Sequence, residues 1–141
     1  MTHLEKAEAA FMSGLNCSQA VVVAFAEDFG MDESLAKKVS CGLGGGVGRE
    51  REVCGTVTGA AQVLGLKYGE DKAVVYPHVQ EFIRRFKEEC GSIVCRELLA
   101  GVKVTTGGAP EPRTEEYYKK RPCVEMVGNA VRMYLKTVGN E

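Results

Sequence analysis

The sequence has little of what nucleic-acid-binding and membrane proteins need. It has no tryptophan, 7% aromatic residues and a net charge of −1, whereas nucleic-acid interfaces use basic patches and stacking side chains. Its longest apolar run, residues 20–26, is far too short to cross a bilayer. The first eight residues are charged and amphipathic, without the apolar stretch of a signal peptide. We therefore expect no nucleic acid and no membrane among the partners, and a cytoplasmic location.

The apolar residues recur at helical spacing along nearly the whole chain, and no sustained alternation predicts a sheet. Capping boxes mark two helix starts, at Thr2 with Glu5 and at Asn16 with Gln19, and Asp32 caps a third helix. The length of 141 residues suffices for one domain with its own core. We expect a single helical domain over residues 1–141.

Further helices are expected in the rest of the chain. One spans 53–68, and the next runs to Cys90 with Pro77 near its first turn. Ser92 is predicted to cap a short helix, and Pro122 to occupy the first position of the last one. Between the third and fourth helices lies the glycine loop, residues 42–49. The expected fold class is all-α, a bundle of about six helices with this glycine-rich loop.

Six cysteines are many for a protein expected in a reducing compartment, where metal or redox chemistry is commoner than structural disulfides. Four of them fall in the first turns of predicted helices: Cys17, Cys54, Cys95 and Cys123. Amides and the positive dipole end at a helix start favour the thiolate, which is both the nucleophile and the metal ligand. We predict these four as redox thiols and as ligands of one cofactor or metal site.

The other two cysteines do not share this placement. Cys41 precedes the glycine loop, and Cys90 continues an apolar stripe with Phe82 and Phe86. A small buried hydrophobe is the simplest role for such a cysteine. We expect both to lie outside the chemistry.

Four separated cysteines leave several chemistries open. An iron–sulfur cluster or iron needs only four converging thiolates, and distant cysteines also form dithiol–disulfide couples once folded. Zinc is less favoured because structural zinc sites draw on short Cys-x₂₋₄-Cys pairs. The sequence leaves open an oxidoreductase, an electron carrier or a non-enzymatic helical binding module. It also leaves open a homodimer, the redox partner protein, and the electron donor and acceptor.

Two other motifs are weaker. Cys90 and Arg96 have the Cys-x₅-Arg spacing of cysteine phosphatases, but Glu89 and Glu97 flank this segment and no strand leads into it. The glycine loop does not match a P-loop or a dinucleotide fingerprint. We interpret it as a tight loop that brings backbone close to the Cys54 helix. Arg49 and Arg51 leave open a site for a small anion at this loop. The segment 115–121 is interpreted as a solvated, self-neutralising stretch.

The chain resembles the redox-active proteins named for their C-GCAxxG-C-C cysteine pattern. The segments that carry the resemblance are Gly14–Ala20, Gly44–Arg49, Cys54–Gly59, Gly91–Leu99 and Cys123. Thr56 stands where the family usually has alanine, which we interpret as a minor steric change. The family's cysteines map onto the same four positions that the helix starts indicate. The resemblance implies a redox role and supplies no substrate.

Overall fold

The structure is a computed structural model that describes residues 1–139, the side chain of Lys120 apart. In chain order the helices are α1 (His3–Met12), α2 (Cys17–Ala26), α3 (Glu33–Cys41), α4 (Gly55–Tyr68), α5 (Lys72–Cys90), α6 (Cys95–Leu98), α7 (Glu115–Lys120) and α8 (Cys123–Val138). A 3₁₀ turn at Glu27–Phe29 extends α2. Within the described residues, β-structure is limited to an isolated antiparallel bridge between Val53 and Val94. The predicted all-α fold is confirmed.

The first helices begin where their caps predict. Thr2 and Asn16 each form a complete capping box, with Glu5 and Gln19 respectively. Asp32 accepts the backbone N–H of Leu35 at the start of α3. These starts were predictable because a capping box depends on residues three positions apart and on nothing else in the fold.

Three predicted helix starts are wrong in detail. Asp71 caps α5, so Pro77 lies inside this helix rather than in its first turn. Pro77 is exposed there, and it cannot donate the backbone hydrogen bond of a helix interior. Ser92 precedes α6, whose cap is Val94, and its hydroxyl accepts the Val94 N–H. Pro122 is the cap of α8 rather than its first residue.

The core is built around α2, which contacts α1, α3, α4 and α8. Two glycines one turn apart, Gly55 and Gly59, let α4 approach α2 closely. A Cβ on Gly59 would lie 3.0 Å from the Ser18 carbonyl oxygen, and one on Gly55 would lie 3.2 Å from the Ser18 nitrogen. The close packing brings the start of α4 beside the start of α2. As far as residues 1–139 go, no helix is both long and apolar enough to span a membrane.

Candidate functional site

The four cysteines predicted as site residues line one cavity of about 70 Å³. Cys17, Cys95 and Cys123 are the first residues of α2, α6 and α8, and Cys54 is the cap of α4. All are free thiols, with Cys54 and Cys95 buried and the other two half-buried. The fold therefore brings four helix starts, far apart in sequence, to one point.

Cys41 and Cys90 lie elsewhere. Cys41 is exposed at the end of α3, and Cys90 accepts a hydrogen bond from the Asn129 amide at 3.5 Å. Burial raises the pKa of the Cys90 thiol above its ordinary value. Neither residue lines the cavity that the other four share.

A short backbone bridge fixes Cys54 beside Cys95. The Cys54 N–H donates to the Ile93 carbonyl at 2.7 Å, and the Cys95 N–H donates to the Glu52 carbonyl. These two bonds flank the pairing of Val53 with Val94. The segments that precede α4 and α6 are thus held side by side, with a cysteine at the end of each.

The glycine loop forms another part of the cavity wall, through Gly45 and Gly46. Gly46 has a φ of 66°, and a Cβ there would lie 2.7 Å from the Cβ of Cys95. Only glycine allows this approach of backbone to the cysteine. The loop also packs against the start of α4, since a Cβ on Gly55 would lie 3.3 Å from the Cα of Gly44. This is the close backbone contact that the sequence predicts for the loop.

The same segment holds three residues other than glycine in the left-handed region. The φ angles are 67° at Val47, 73° at Arg49 and 60° at Arg51. Each costs on the order of 1 kcal/mol or more and persists only where surrounding contacts enforce it. Arg49 and Arg51 are held by hydrogen bonds to the carbonyls of Gly107 and Thr105, respectively. The strained segment thus fixes the Arg51 guanidinium beside the Cys95 sulfur and holds Arg49 against Thr105 and Gly107.

Cys17 and Cys123 interact as a pair. Hydrogen bonding from Cys17 lowers the pKa of Cys123 to about 7, against the effect of burial, and the Tyr117 hydroxyl and Arg121 act in the same direction. The same pairing raises the pKa of Cys17 well above its ordinary value, with burial adding to the increase. At pH 7 about half of the molecules therefore carry a thiolate in this pair, and that thiolate is Cys123.

Cys54 has a different environment. Burial raises its pKa to about 11, although its hydrogen bond with Thr56 opposes this rise. The Thr56 hydroxyl lies 3.1 Å from the Cys54 sulfur. The threonine that replaces the family's usual alanine is therefore more than a steric change, because it adds a hydrogen-bonding group at the sulfur.

Three arginines that sequence reasoning did not assign to the site also line the cavity: Arg51, Arg113 and Arg121. Arg51 points Nη1 at the Cys95 sulfur, 3.9 Å away. Arg113 donates to the Phe11 and Leu15 carbonyls, and its guanidinium lies 5.0 Å from the ring centre of Tyr117. The segment 115–121, interpreted as solvated, is instead partly inside, since Arg121 is buried and Tyr117 half-buried.

One carboxylate faces these cations. Arg49, Arg51 and Arg121 all contact Oε1 of Glu111. Burial acts to raise the pKa of Glu111, but the hydrogen bonds and charges of Arg121 and Arg49 outweigh it and hold the pKa below its ordinary value. Glu111 is therefore ionised at neutral pH, and the arginines still outnumber it. Arg121 and Arg113 contribute to the lowered pKa of Cys123, whereas burial keeps the pKa of Cys54 raised.

The metal-binding groups that line the cavity are the four cysteine sulfurs. In the part of the chain that the structure describes, no group of three or more His, Cys, Asp or Glu side chains is arranged to hold a metal ion.

Comparison with known proteins gives one match. The family model described as "Putative redox-active protein (C_GCAxxG_C_C)" matches residues 15–137, a span that contains all four cavity cysteines. No curated protein and no solved structure matches the chain. The match covers most of the sequence, as the resemblance in the cysteine-bearing segments predicts. The chain belongs to the C_GCAxxG_C_C family of redox-active proteins.

Proposed function

We propose that this protein is a small electron carrier in which Cys17, Cys54, Cys95 and Cys123 hold one iron–sulfur cluster. The observation that carries the proposal is the gathering of these four thiols in one cavity. A dithiol couple needs only two thiols, whereas a cluster uses four. The proposed location is the cytoplasm, whose reducing conditions keep such thiols unpaired.

The residues present fit this group. Thiolates are the soft ligands that bind iron–sulfur clusters. A cluster held by four thiolates carries net negative charge, and Arg51, Arg113 and Arg121 supply positive charge at the same cavity. When bound, the cluster would supply one-electron transfer at a potential that charge and hydrogen bonds to sulfur adjust.

The protein's own part is to position and tune the sulfurs. Arg51 donates towards the Cys95 sulfur and Thr56 interacts with that of Cys54. Leu98, Leu99 and Met126 line the same cavity with apolar surface. Apolar surface limits access of water, which shifts the potential and slows loss of the metal.

A second candidate is a dithiol–disulfide couple of Cys17 and Cys123, favoured by the low pKa of Cys123 beside its partner thiol. In this chemistry the two S–H bonds are broken and one S–S bond forms. Two electrons and two protons pass to a two-electron acceptor such as another disulfide. The Cys123 thiolate would be the attacking group, since its partner thiol keeps its proton.

The test is anaerobic purification from cells grown with iron, followed by analysis of iron and acid-labile sulfide. We expect both in the wild-type protein, with visible charge-transfer absorbance. Alanine at Cys17, Cys54, Cys95 or Cys123 should each abolish the absorbance. Cys41→Ala and Cys90→Ala are matched controls that should retain iron and sulfide at wild-type levels.

The two candidates give different results. If the purified protein contains no iron, and only Cys17 and Cys123 interconvert between dithiol and disulfide, the result contradicts the cluster and supports the dithiol couple. Retention of iron after loss of Cys54 or Cys95 would contradict a four-cysteine site. Loss of iron in Cys90→Ala would show that the division of the cysteines is wrong.

A further inference from the structure

A second cavity, of about 300 Å³, adjoins the thiol cavity. The two share Asn16, Gly45, Arg51, Arg113, Tyr117 and Arg121 as lining residues, so these side chains and backbone form the partition between them. The second space, here named the outer cavity, is completed by the glycine loop and by residues 108–111 of the following loop. Its volume is at the lower end of the range for small-molecule sites, roughly 300–1,000 Å³.

The outer cavity has an excess of positive charge. Four arginines line it, Arg49, Arg51, Arg113 and Arg121, and the acidic side chain that faces them is Glu111. The side chains of Arg49, Arg51 and Arg121 are only 13%, 5% and 6% exposed. Buried cations are expensive unless anions pair with them, and a single carboxylate leaves a surplus of three positive charges.

Arg121 has donors to spare. Its guanidinium is stacked 4.9 Å from the ring centre of Tyr117, which fixes the plane of the fork. Among the described residues its side chain donates only through Nη2, to Glu111. A guanidinium has five N–H donors, so Arg121 keeps donors free for water or for a ligand in the cavity. A guanidinium held by a carboxylate and an aromatic ring, with donors to spare, suits an oxyanion.

We propose that the outer cavity binds a small tetrahedral oxyanion of the phosphate class. The arginines reach the cavity from residues 49–51 at the end of the glycine loop, from Arg113 before α7 and from Arg121 at the end of α7. Several guanidinium groups from different directions suit an ion with four acceptor oxygens. The Glu111 carboxylate accepts hydrogen bonds from Arg49, Arg51 and Arg121, so it competes with a bound anion for these donors. Anion binding in the outer cavity does not depend on a metal in the thiol cavity, and it is a function beyond the proposed electron transfer.

The position of the site gives it a use. Arg51 contacts both Glu111 and the sulfur of Cys95. An anion in the outer cavity would draw the Arg51 guanidinium outwards and reduce its hydrogen bonding to that sulfur. Anion binding is therefore coupled to the thiol cavity through one side chain.

The test uses inorganic phosphate as the probe, with calorimetric titration of metal-free wild-type protein at constant ionic strength. Acetate and chloride serve as comparison anions. We expect phosphate to bind with one-to-one stoichiometry and acetate and chloride at least about tenfold more weakly, because they offer fewer acceptor atoms. Amide NMR shifts on titration should be concentrated at the residues that line the outer cavity, in the glycine loop and near Gly108, Arg113 and Arg121.

Three variants should change the affinity for phosphate in different ways. Arg121→Lys keeps the charge but loses the fork, and should weaken phosphate binding about tenfold. Glu111→Gln removes the competing carboxylate and should tighten it several-fold. Arg96→Gln is the matched control, since Arg96 is exposed, pairs with Glu52 and lies outside both cavities; it should change binding less than about twofold.

Each outcome decides the proposal. Absence of phosphate binding to the wild-type protein, or equal affinity for chloride, would overturn it. Unchanged or weaker binding in Glu111→Gln would overturn it even if Arg121→Lys failed to fold. Equal weakening in Arg96→Gln would show only general charge attraction. Because the titration uses metal-free protein, its failure is distinct from failure to find a cluster.

Discussion

Replacing Gly46 by alanine should destabilise the protein by about 2–4 kcal/mol. The φ of 66° at Gly46 is a conformation that alanine adopts at a cost of about 1 kcal/mol. The new Cβ would also lie 2.7 Å from the Cβ of Cys95 and 2.9 Å from the Cα of Arg51. Overpacking against atoms that cannot move freely adds about 1–3 kcal/mol.

Gly30 supplies a matched control. It has the same φ of 66°, and a Cβ there meets nothing within 4 Å. Gly30→Ala should therefore cost about 1 kcal/mol, the conformational part alone. Urea unfolding of the two variants measures the difference, which should be about 1–3 kcal/mol. Equal losses in both variants would refute the close packing of the glycine loop against Cys95.

Three further predictions concern the side chains at the site. Cys17→Ala should raise the pKa of Cys123, so that the thiolate fraction of Cys123 at pH 7 falls from about a half to below about a tenth. The pH dependence of alkylation of metal-free protein measures this fraction. An unchanged pH profile would contradict the pairing of Cys17 with Cys123. Cys41→Ala and Cys90→Ala should change the unfolding free energy by about 1 kcal/mol or less and leave that alkylation profile unaltered. In cluster-loaded protein, Arg51→Gln should lower the reduction potential of the cluster, because loss of a nearby cation disfavours the added electron. Potentiometric titration measures this potential, and a raised value would contradict the electrostatic role of Arg51.

Much of the fold could be predicted because its determinants are local. The starts of α1, α2 and α3 follow from caps at Thr2, Asn16 and Asp32, each of which contacts a residue three positions on. The prediction for Pro77 was wrong because proline is commonest in the first turn of a helix, whereas here Asp71 caps α5 and Pro77 lies inside it. The cap determines where α5 begins, and an exposed proline does not break it.

The candidate site was predicted only in its cysteines. Their place at helix starts is a property of the local sequence, and the family pattern coincides with it. The arginines could not be found this way, since Arg113 donates to the Phe11 and Leu15 carbonyls, about 100 residues earlier in the chain. Arg121 looked solvated because its neighbours are charged, and its burial follows from the tertiary contact with Glu111.

Tyr117 illustrates the same limit. In the sequence it belongs to a charged, apparently exposed segment, yet it borders both the thiol cavity and the outer cavity. Burial raises its pKa, and the charge of Cys123 adds to the effect. Its hydroxyl thus stays protonated as a donor near the sulfur. A role of this kind follows from tertiary contacts such as that of Tyr117 with the Arg113 guanidinium and the thiol cavity, which no local pattern encodes.

The central claim, that four cysteines hold one iron–sulfur cluster, is tested most directly by X-ray absorption at the iron edge of anaerobically purified protein. We predict a first shell of sulfur at about 2.3 Å together with a second shell of iron. In Cys54→Ala this spectrum should be lost, whereas Cys90→Ala should retain it. A first shell of oxygen or nitrogen, a single iron without an iron neighbour, or protein without iron would contradict the account.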